Sequence, residues 1–152
     1  MKVLSLAVSP LDCHAVSVQE LMLKCQRKFA PIEVNCVVSG NKGKLHFNLN
    51  NYTKKSEVLA AVDTVRYLGE NTNTTGGLKV ARLEVFDTSN QRPYIDRIIV
   101  LITDGVPTYD ADKLGDEVGE IKRMGIRILG LGVTNKVILL ILGLITTFTK
   151  LL

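Results

Sequence analysis

The sequence predicts an α/β protein built on a doubly wound, mostly parallel sheet with one antiparallel edge strand, a Rossmann-like arrangement. Three observations predict it. Residues 98–102 read Ile-Ile-Val-Leu-Ile, an unbroken apolar run of β-formers that describes a strand covered on both faces, as in a parallel sheet between helical layers. Residues 126–133, rich in Ile, Leu and Val, read as a second strand. The segment between carries Leu114, Val118 and Ile121 at helical spacing, so 98–133 is one βαβ unit with a right-handed crossover. Residues 44–49 instead alternate Leu45, Phe47 and Leu49 against Lys44, His46 and Asn48, the pattern of a strand with one wet face.

The other elements are read in chain order. Residues 32–38 are apolar, with Pro31 before and Ser39-Gly40-Asn41 after, and read as a buried strand. Only residues 39–43 separate it from 44–49, so the two form an antiparallel hairpin. Residues 56–68 place Val58, Leu59, Val62 and Val65 on one helical face, with Thr53 or Ser56 as the cap. Thr75-Gly76-Gly77 opens another helix, marked by Leu78, Ala81, Arg82 and Val85. Asp104-Gly105-Val106-Pro107 makes a turn after the strand 98–102, and Gly125 ends the helix that reaches Met124.

Composition fits one soluble domain: 152 residues, 46% hydrophobic and 22% charged. The net charge of +4 comes from Lys and Arg interspersed with Asp and Glu. With no basic run and few aromatics for stacking, nucleic acid is excluded as a partner. Cys13, Cys25 and Cys36 contain no Cys-x-x-Cys pair, which argues against zinc. Cys36, inside an apolar run, reads as a small core residue. His14 and His46 read as surface or strand residues.

The ends are short of targeting signals. Residues 3–8 are an apolar run too brief for a signal peptide, and Cys13-His14-Ala15 is a poor cleavage site. The apolar run 137–145 falls short of the ~20 residues a membrane helix needs, so it reads as a buried strand or helix and not as a membrane partner.

Ligands of such sheets bind at the carboxyl ends of the parallel strands. Asp104 stands there, directly after 98–102. The loop Gly69-Glu70-Asn71-Thr72-Asn73-Thr74-Thr75-Gly76 precedes a helix and brings hydroxyls and amides to the same edge. Carboxylate and hydroxyl oxygens suit a hard cation such as Mg²⁺. The same residues also serve as a turn cap and a helix cap. Two enzyme readings fail by residue. Asp104-Gly105 resembles the haloacid dehalogenase phosphatases, but the nucleophile position two residues earlier is Ile102. Gly40-Asn41-Lys42-Gly43-Lys44 lacks the phosphate-loop spacing and joins two strands. No Ser-His-Asp or Cys-His constellation is placed for nucleophilic work.

Several linked motifs carry a resemblance. Leu45-His46-Phe47-Asn48-Leu49-Asn50, Lys55-Ser56-Glu57-Val58-Leu59-Ala60-Ala61-Val62, Tyr67-Leu68-Gly69-Glu70-Asn71-Thr72-Asn73-Thr74, residues 99–105 with Ile-Thr-Asp-Gly, and residues 125–133 with Gly-Leu-Gly-Val occur in that order. Together they resemble the von Willebrand factor A domain, in the form found in matrilins and non-fibrillar collagens. The resemblance spans about residues 32–135. It divides the chain into a reduced first strand and helix (1–31), the core (32–135) and an apolar C-terminal segment (136–152), with the fold incomplete at both ends.

The resemblance implies a metal-ion-dependent adhesion site, in which three loops hold one divalent cation and an acidic side chain of the partner completes its shell. Thr72 matches the second-loop ligand and Asp104 the third. Asn71, Asn73, Thr74 and Gly105 would form the ligand-binding rim. The first-loop motif, Asp-x-Ser-x-Ser, occurs nowhere. If residues 3–8 are the first strand, Ser9-Pro10-Leu11-Asp12 stand in its place and residues 19–29 are what remains of the first helix. The site is thus expected to be degraded, with no cofactor or only weakly bound Mg²⁺. The implied function is a non-enzymatic, extracellular, protein-binding module of matrix or cell-adhesion type, with collagen a candidate partner. The second reading is a truncated fragment without independent binding. Asn51-Tyr52-Thr53 and Asn73-Thr74-Thr75 are glycosylation sequons, Asn51 the better acceptor. Lys42, Lys44, Lys54 and Lys55 make either a solvated face or a patch for glycosaminoglycan or an acidic partner.

Overall fold

The structure, a computed structural model, describes residues 2–8, 32–48, 51–52, 54–65, 71–87, 96–103, 106–132 and 147–150. The strands are β1 (Lys2–Val8), β2 (Ile32–Ser39), β3 (Gly43–Phe47), β4 (Asp96–Thr103), β5 (Arg127–Gly132) and β6 (Thr147–Lys150). They form one sheet in the order β3-β2-β1-β4-β5-β6. Every neighbouring pair is parallel except β2–β3. The alternating strand is therefore the antiparallel edge, and the two strands of the βαβ unit, β4 and β5, lie side by side in the interior. Residues 3–8 do serve as a strand: β1 sits at the centre, with Leu6 level with Cys36 on one side and Val100 on the other. The run 137–145, the first-loop residues 9–12 and the segment 19–29 lie outside the described residues.

Both faces of β4 are covered. Ile99 and Leu101 point one way, Val100 and Ile102 the other, and all four are buried. Ile99 and Leu101 join Val37 and Ile128 in the main core, beneath Leu78 and Ile121 of the overlying helices. On β3 the alternation breaks once. Leu45 is level with Val37, but Phe47 is level with Cys36, so two steps on β3 answer one on β2. This bulge re-aims the end of the strand. Leu45 packs on the main core, while Phe47 is buried outside that cluster, edge-on to Tyr52 at 5.4 Å. His46 between them is exposed, its Nε2 3.1 Å from Thr64 Oγ1.

Helix α1 (Lys55–Asp63) is shorter than the apolar spacing suggests. The Thr64 hydroxyl donates to the Ala61 carbonyl at 2.7 Å, and Val65 N–H turns back to Val62 O at 3.0 Å, which tightens and ends the last turn. Ser56 does not cap its start, and Thr53 lies outside the described residues. Lys54 occupies the N-cap position and Glu57 reaches back, accepting from Lys54 N–H at 3.4 Å, because a carboxylate in the first turn satisfies an unpaired donor and suits the helix dipole.

Helix α2 (Thr74–Val80) continues as one wide π turn, Ala81–Val85, closed by Phe86 N–H to Ala81 O at 3.0 Å. The wide turn lets consecutive residues, Val85 and Phe86, both reach the core. Helix α3 (Leu114–Arg123) buries Leu114, Val118 and Ile121, as the spacing predicts. It ends where Ile126 N–H bonds Ile121 O and Gly125 N–H bonds Lys122 O, with Gly125 at φ +70°, the left-handed stop that glycine takes without strain.

The Gly-Gly pair of α2 has a second role. A Cβ on Gly43, at the start of β3, would lie 2.3 Å from the Gly76 carbonyl oxygen, and one on Gly77 would lie 3.0 Å from Ser39 Cβ. The helix rests directly on the β2–β3 hairpin, backbone against backbone. Gly43→Ala is expected to lower stability by about 2 kcal/mol, the range for overpacking where no side chain can yield. Chemical denaturation reads this; an unchanged midpoint would mean that helix and hairpin separate freely.

Candidate functional site at the carboxyl edge of the sheet

β2 and β4 end at Ser39 and Thr103, both buried. Three loops continue from this edge: the hairpin 40–42, the segment 71–73 and the segment 106–110. Direct hydrogen bonds join all three. Asn73 N–H donates to Gly40 O at 3.1 Å, and Asn73 Nδ2 donates to Asn41 O at 2.9 Å. Asn71 Nδ2 donates to Asn41 Oδ1 at 2.9 Å. Thr72 N–H donates to Thr108 Oγ1, and Thr108 N–H returns to Thr72 O, each at 3.1 Å. The Thr75 hydroxyl donates to Asp110 O at 2.9 Å.

Local sequence explains why these groups are available. Asn73 caps α2, its Oδ1 accepting from Gly76 N–H at 2.6 Å, which leaves Nδ2 to cross to the hairpin. Asp110 adopts the left-handed conformation, φ 50°, which Asp tolerates better than most residues. Its carboxylate lies 2.8 Å from Lys113 Nζ, and that hydrogen bond raises the Lys113 pKa. Behind the loops, Arg82 Nε and Nη2 grip Glu117 Oε1 and Oε2 at 2.6 and 3.0 Å. This forked pair ties the π turn after α2 to α3, and the Glu117 bond raises Arg82 further above its ordinary range.

The predicted site residues divide. Thr72 lies at this edge, 5% exposed, and both bonds to Thr108 use its backbone. Asp104 and Gly105 fall outside the described residues, but the next segment of chain reaches Thr72 through Thr108. Of the rim residues, Asn71 is on the surface. Asn73 and Thr74 are 4% and 2% exposed: capping and cross-loop bonding hold Asn73 inward, and Thr74 is buried in the first turn of α2, so the two support the rim from below and do not line it. Asn73 as a sequon is likewise enclosed, whereas Asn51 is exposed. The exposed apolar groups here are Val106 and Tyr109, 36% and 50% exposed. Lys42, Lys44 and Lys54 are exposed, Lys54 lying 3.6 Å from Glu57.

Sequence reasoning did not find Asn41, Thr108 or Tyr109. Asn41 reads as an ordinary turn residue, and its partners lie some thirty positions away. Only the exposed aromatic after a Pro-containing turn could have drawn notice.

The donor set bears on a divalent cation. In the segment 106–110 the carboxylate is Asp110, already paired with Lys113. Among the described residues no group of three or more His, Cys, Asp or Glu converges. Near-octahedral Mg²⁺ needs several fixed oxygens, and the described edge offers the Thr72 hydroxyl. The described residues therefore do not amount to such a site.

Comparison with known proteins gives a consistent answer. Mouse integrin alpha-2 is 33% identical over 105 residues, 64% of this chain and 9% of the integrin. The mouse collagen alpha-6(VI) chain is 25% identical over 115 residues, 76% of this chain and 5% of the collagen. This chain thus spans less than a tenth of the length of either relative. Proximal thread matrix protein 1 from the mussel byssus, whose solved structure has a zinc-occupied MIDAS motif, superposes with a TM-score of 0.79 at 19% identity over 98% of this chain and 41% of its own. The family profile of the von Willebrand factor type A domain matches residues 16–147. With the sheet order, the central β1 and the loop-bearing carboxyl edge in agreement, the chain belongs to the von Willebrand factor type A domain family.

Proposed function

We propose that this chain is a protein-binding module of extracellular-matrix or cell-adhesion type that presents its carboxyl edge to a matrix or cell-surface partner, collagen first among candidates, without a tightly held cation. Its relatives include an integrin and a collagen chain, and this supports an extracellular, non-enzymatic, protein-binding role. One observation carries the cation-free reading. The Thr72 loop is bonded directly to the segment that follows Asp104, through Thr72–Thr108 and Thr75–Asp110, and to the neighbouring hairpin through Asn73–Gly40, so its polar groups are engaged with the chain itself. A rim already fixed by its own bonds loses little order on binding. Tyr109 and Val106 supply apolar contact on it, and Asn71 a polar rim group.

Binding of the purified chain to immobilised collagen tests this. The expected affinity is the same in Mg²⁺ and in chelator, and Tyr109→Ala weakens it about tenfold, the loss typical of one aromatic anchor. A requirement for Mg²⁺ would overturn the cation-free reading. A chain that melts cooperatively and yet binds no matrix protein would favour the fragment without independent function.

The metal itself gives a separate measurement. A ligand that binds only the folded state stabilises by RT ln(1 + [L]/Kd), so millimolar Mg²⁺ with a millimolar or weaker Kd contributes roughly 0.4 kcal/mol at most. Scanning calorimetry with and without Mg²⁺ should show almost coincident melts. Micromolar affinity abolished by Asp104→Ala would mean that Ser9, Asp12 or another group rebuilds the first loop.

A further inference from the structure

We infer that Asn51 is an N-glycosylation site and that Asn73, the other sequon, is not. Both triplets satisfy Asn-x-Thr, and the sequence favours Asn51 only because Asn73 sits in the candidate ligand loop. The fold separates them. Asn51 is exposed in a tight bend. Its backbone N–H donates to Asn48 O at 3.2 Å, and its Oδ1 accepts from Asn48 N–H at 2.6 Å. The oxygen arm of the amide is thereby held against the chain, and Nδ2 on the other arm has no hydrogen-bond partner among the described residues. Asn73 is the reverse. It is buried, Oδ1 caps Gly76 N–H, and Nδ2 donates to Asn41 O. A sugar on that nitrogen would replace one of its two protons with a bulky group where the side chain is enclosed, forcing open the contact between α2 and the hairpin, so a chain glycosylated there could not complete this fold.

Topology adds a reason why a glycan at Asn51 is tolerated. β3 runs antiparallel to β2 and away from the carboxyl edge, so the Asn48–Asn51 bend lies beyond its far end. An oligosaccharide there leaves Asn71, Val106 and Tyr109 uncovered. The transfer needs a polyprenyl-diphosphate-linked oligosaccharide as donor. Asn51 Nδ2 forms a bond to the anomeric carbon, the bond from that carbon to the diphosphate oxygen breaks with its electron pair leaving on the diphosphate, and one amide proton passes to a base.

The test expresses the full 152-residue chain behind a cleavable secretion leader in a eukaryotic host. The secreted protein should carry a single oligosaccharide, removed by peptide-N-glycosidase with conversion of Asn51 to aspartate. Asn51→Gln and Thr53→Ala should each abolish the mobility shift. Peptide mapping of the wild-type chain reads the two sequons separately, so no variant of Asn73 is required. A secreted, folded chain with no glycan, or with one on Asn73, would overturn the inference. Neither result bears on collagen binding.

Discussion

Val100→Asp unfolds the domain at moderate temperature. Val100 lies level with Leu6 of β1 and Leu129 of β5, and both faces of its strand are buried. A carboxylate placed there loses its hydration among the apolar residues that flank Val100 on its own strand, Ile99, Leu101 and Ile102. Burial of an unpaired charged group of this kind costs about 4 kcal/mol or more, a large fraction of what a domain of this size possesses. The far-ultraviolet circular dichroism melt reads the effect directly. A midpoint within a degree or two of wild type would show that β4 is not at the centre of the sheet. Val100→Ile, which keeps the apolar character, serves as the matched control.

The second large effect falls on the Arg82–Glu117 pair. Glu117→Ala leaves the half-buried Arg82 cation, 18% exposed, without its forked hydrogen bonds and with only the weaker attraction of Glu120. Removing one member of such a pair typically costs about 3 kcal/mol, or about 10 °C in Tm for a chain of this length. Arg82→Met combined with Glu117→Leu should recover most of that loss, because the residual charge disappears with its partner. If the double variant is no more stable than Glu117→Ala, the pair has some role beyond charge compensation. The contribution of this pair should be flat across the alkaline side of the stability profile. A raised guanidinium pKa gives stability that is present below the unfolded value and lost only as pH rises through the folded one, and for Arg82 both lie above any ordinary working pH.

Much of the fold was legible because its signals are local. The unbroken apolar run of β4 and the alternation of β3 depend only on which faces are wet, and residue order records that. Helix ends were less legible. Thr64 stops α1 by bonding a carbonyl three residues back, and Glu57 replaces the expected Ser or Thr cap; either outcome is compatible with the same apolar spacing. The bulge before Phe47 leaves no mark on the alternation, since it appears only in the pairing with β2. At the carboxyl edge, the position of Thr72 could be anticipated from motif order. The bonds from Thr108 and Asn41 could not, because each joins segments separated by some thirty residues or more. Asn73 illustrates the converse: a polar residue in a loop reads as surface, yet capping and cross-loop bonding enclose it.

The central place of β1 also governs when this protein can fold. Its residues are made before those of both neighbours, β2 and β4, so that Leu6 waits for both Cys36 and Val100. On the ribosome, most of the chain must emerge before the amino-terminal strand can be enclosed on both sides. Pairings this distant in sequence slow folding and leave a strand edge open meanwhile. A nascent chain halted before residue 96 would hold the β2–β3 hairpin with β1 on one open flank, a species suited to chaperone capture or to pairing with a second nascent copy. Synthesis rate and chaperone supply, more than equilibrium stability, then set how much of this domain reaches its native state.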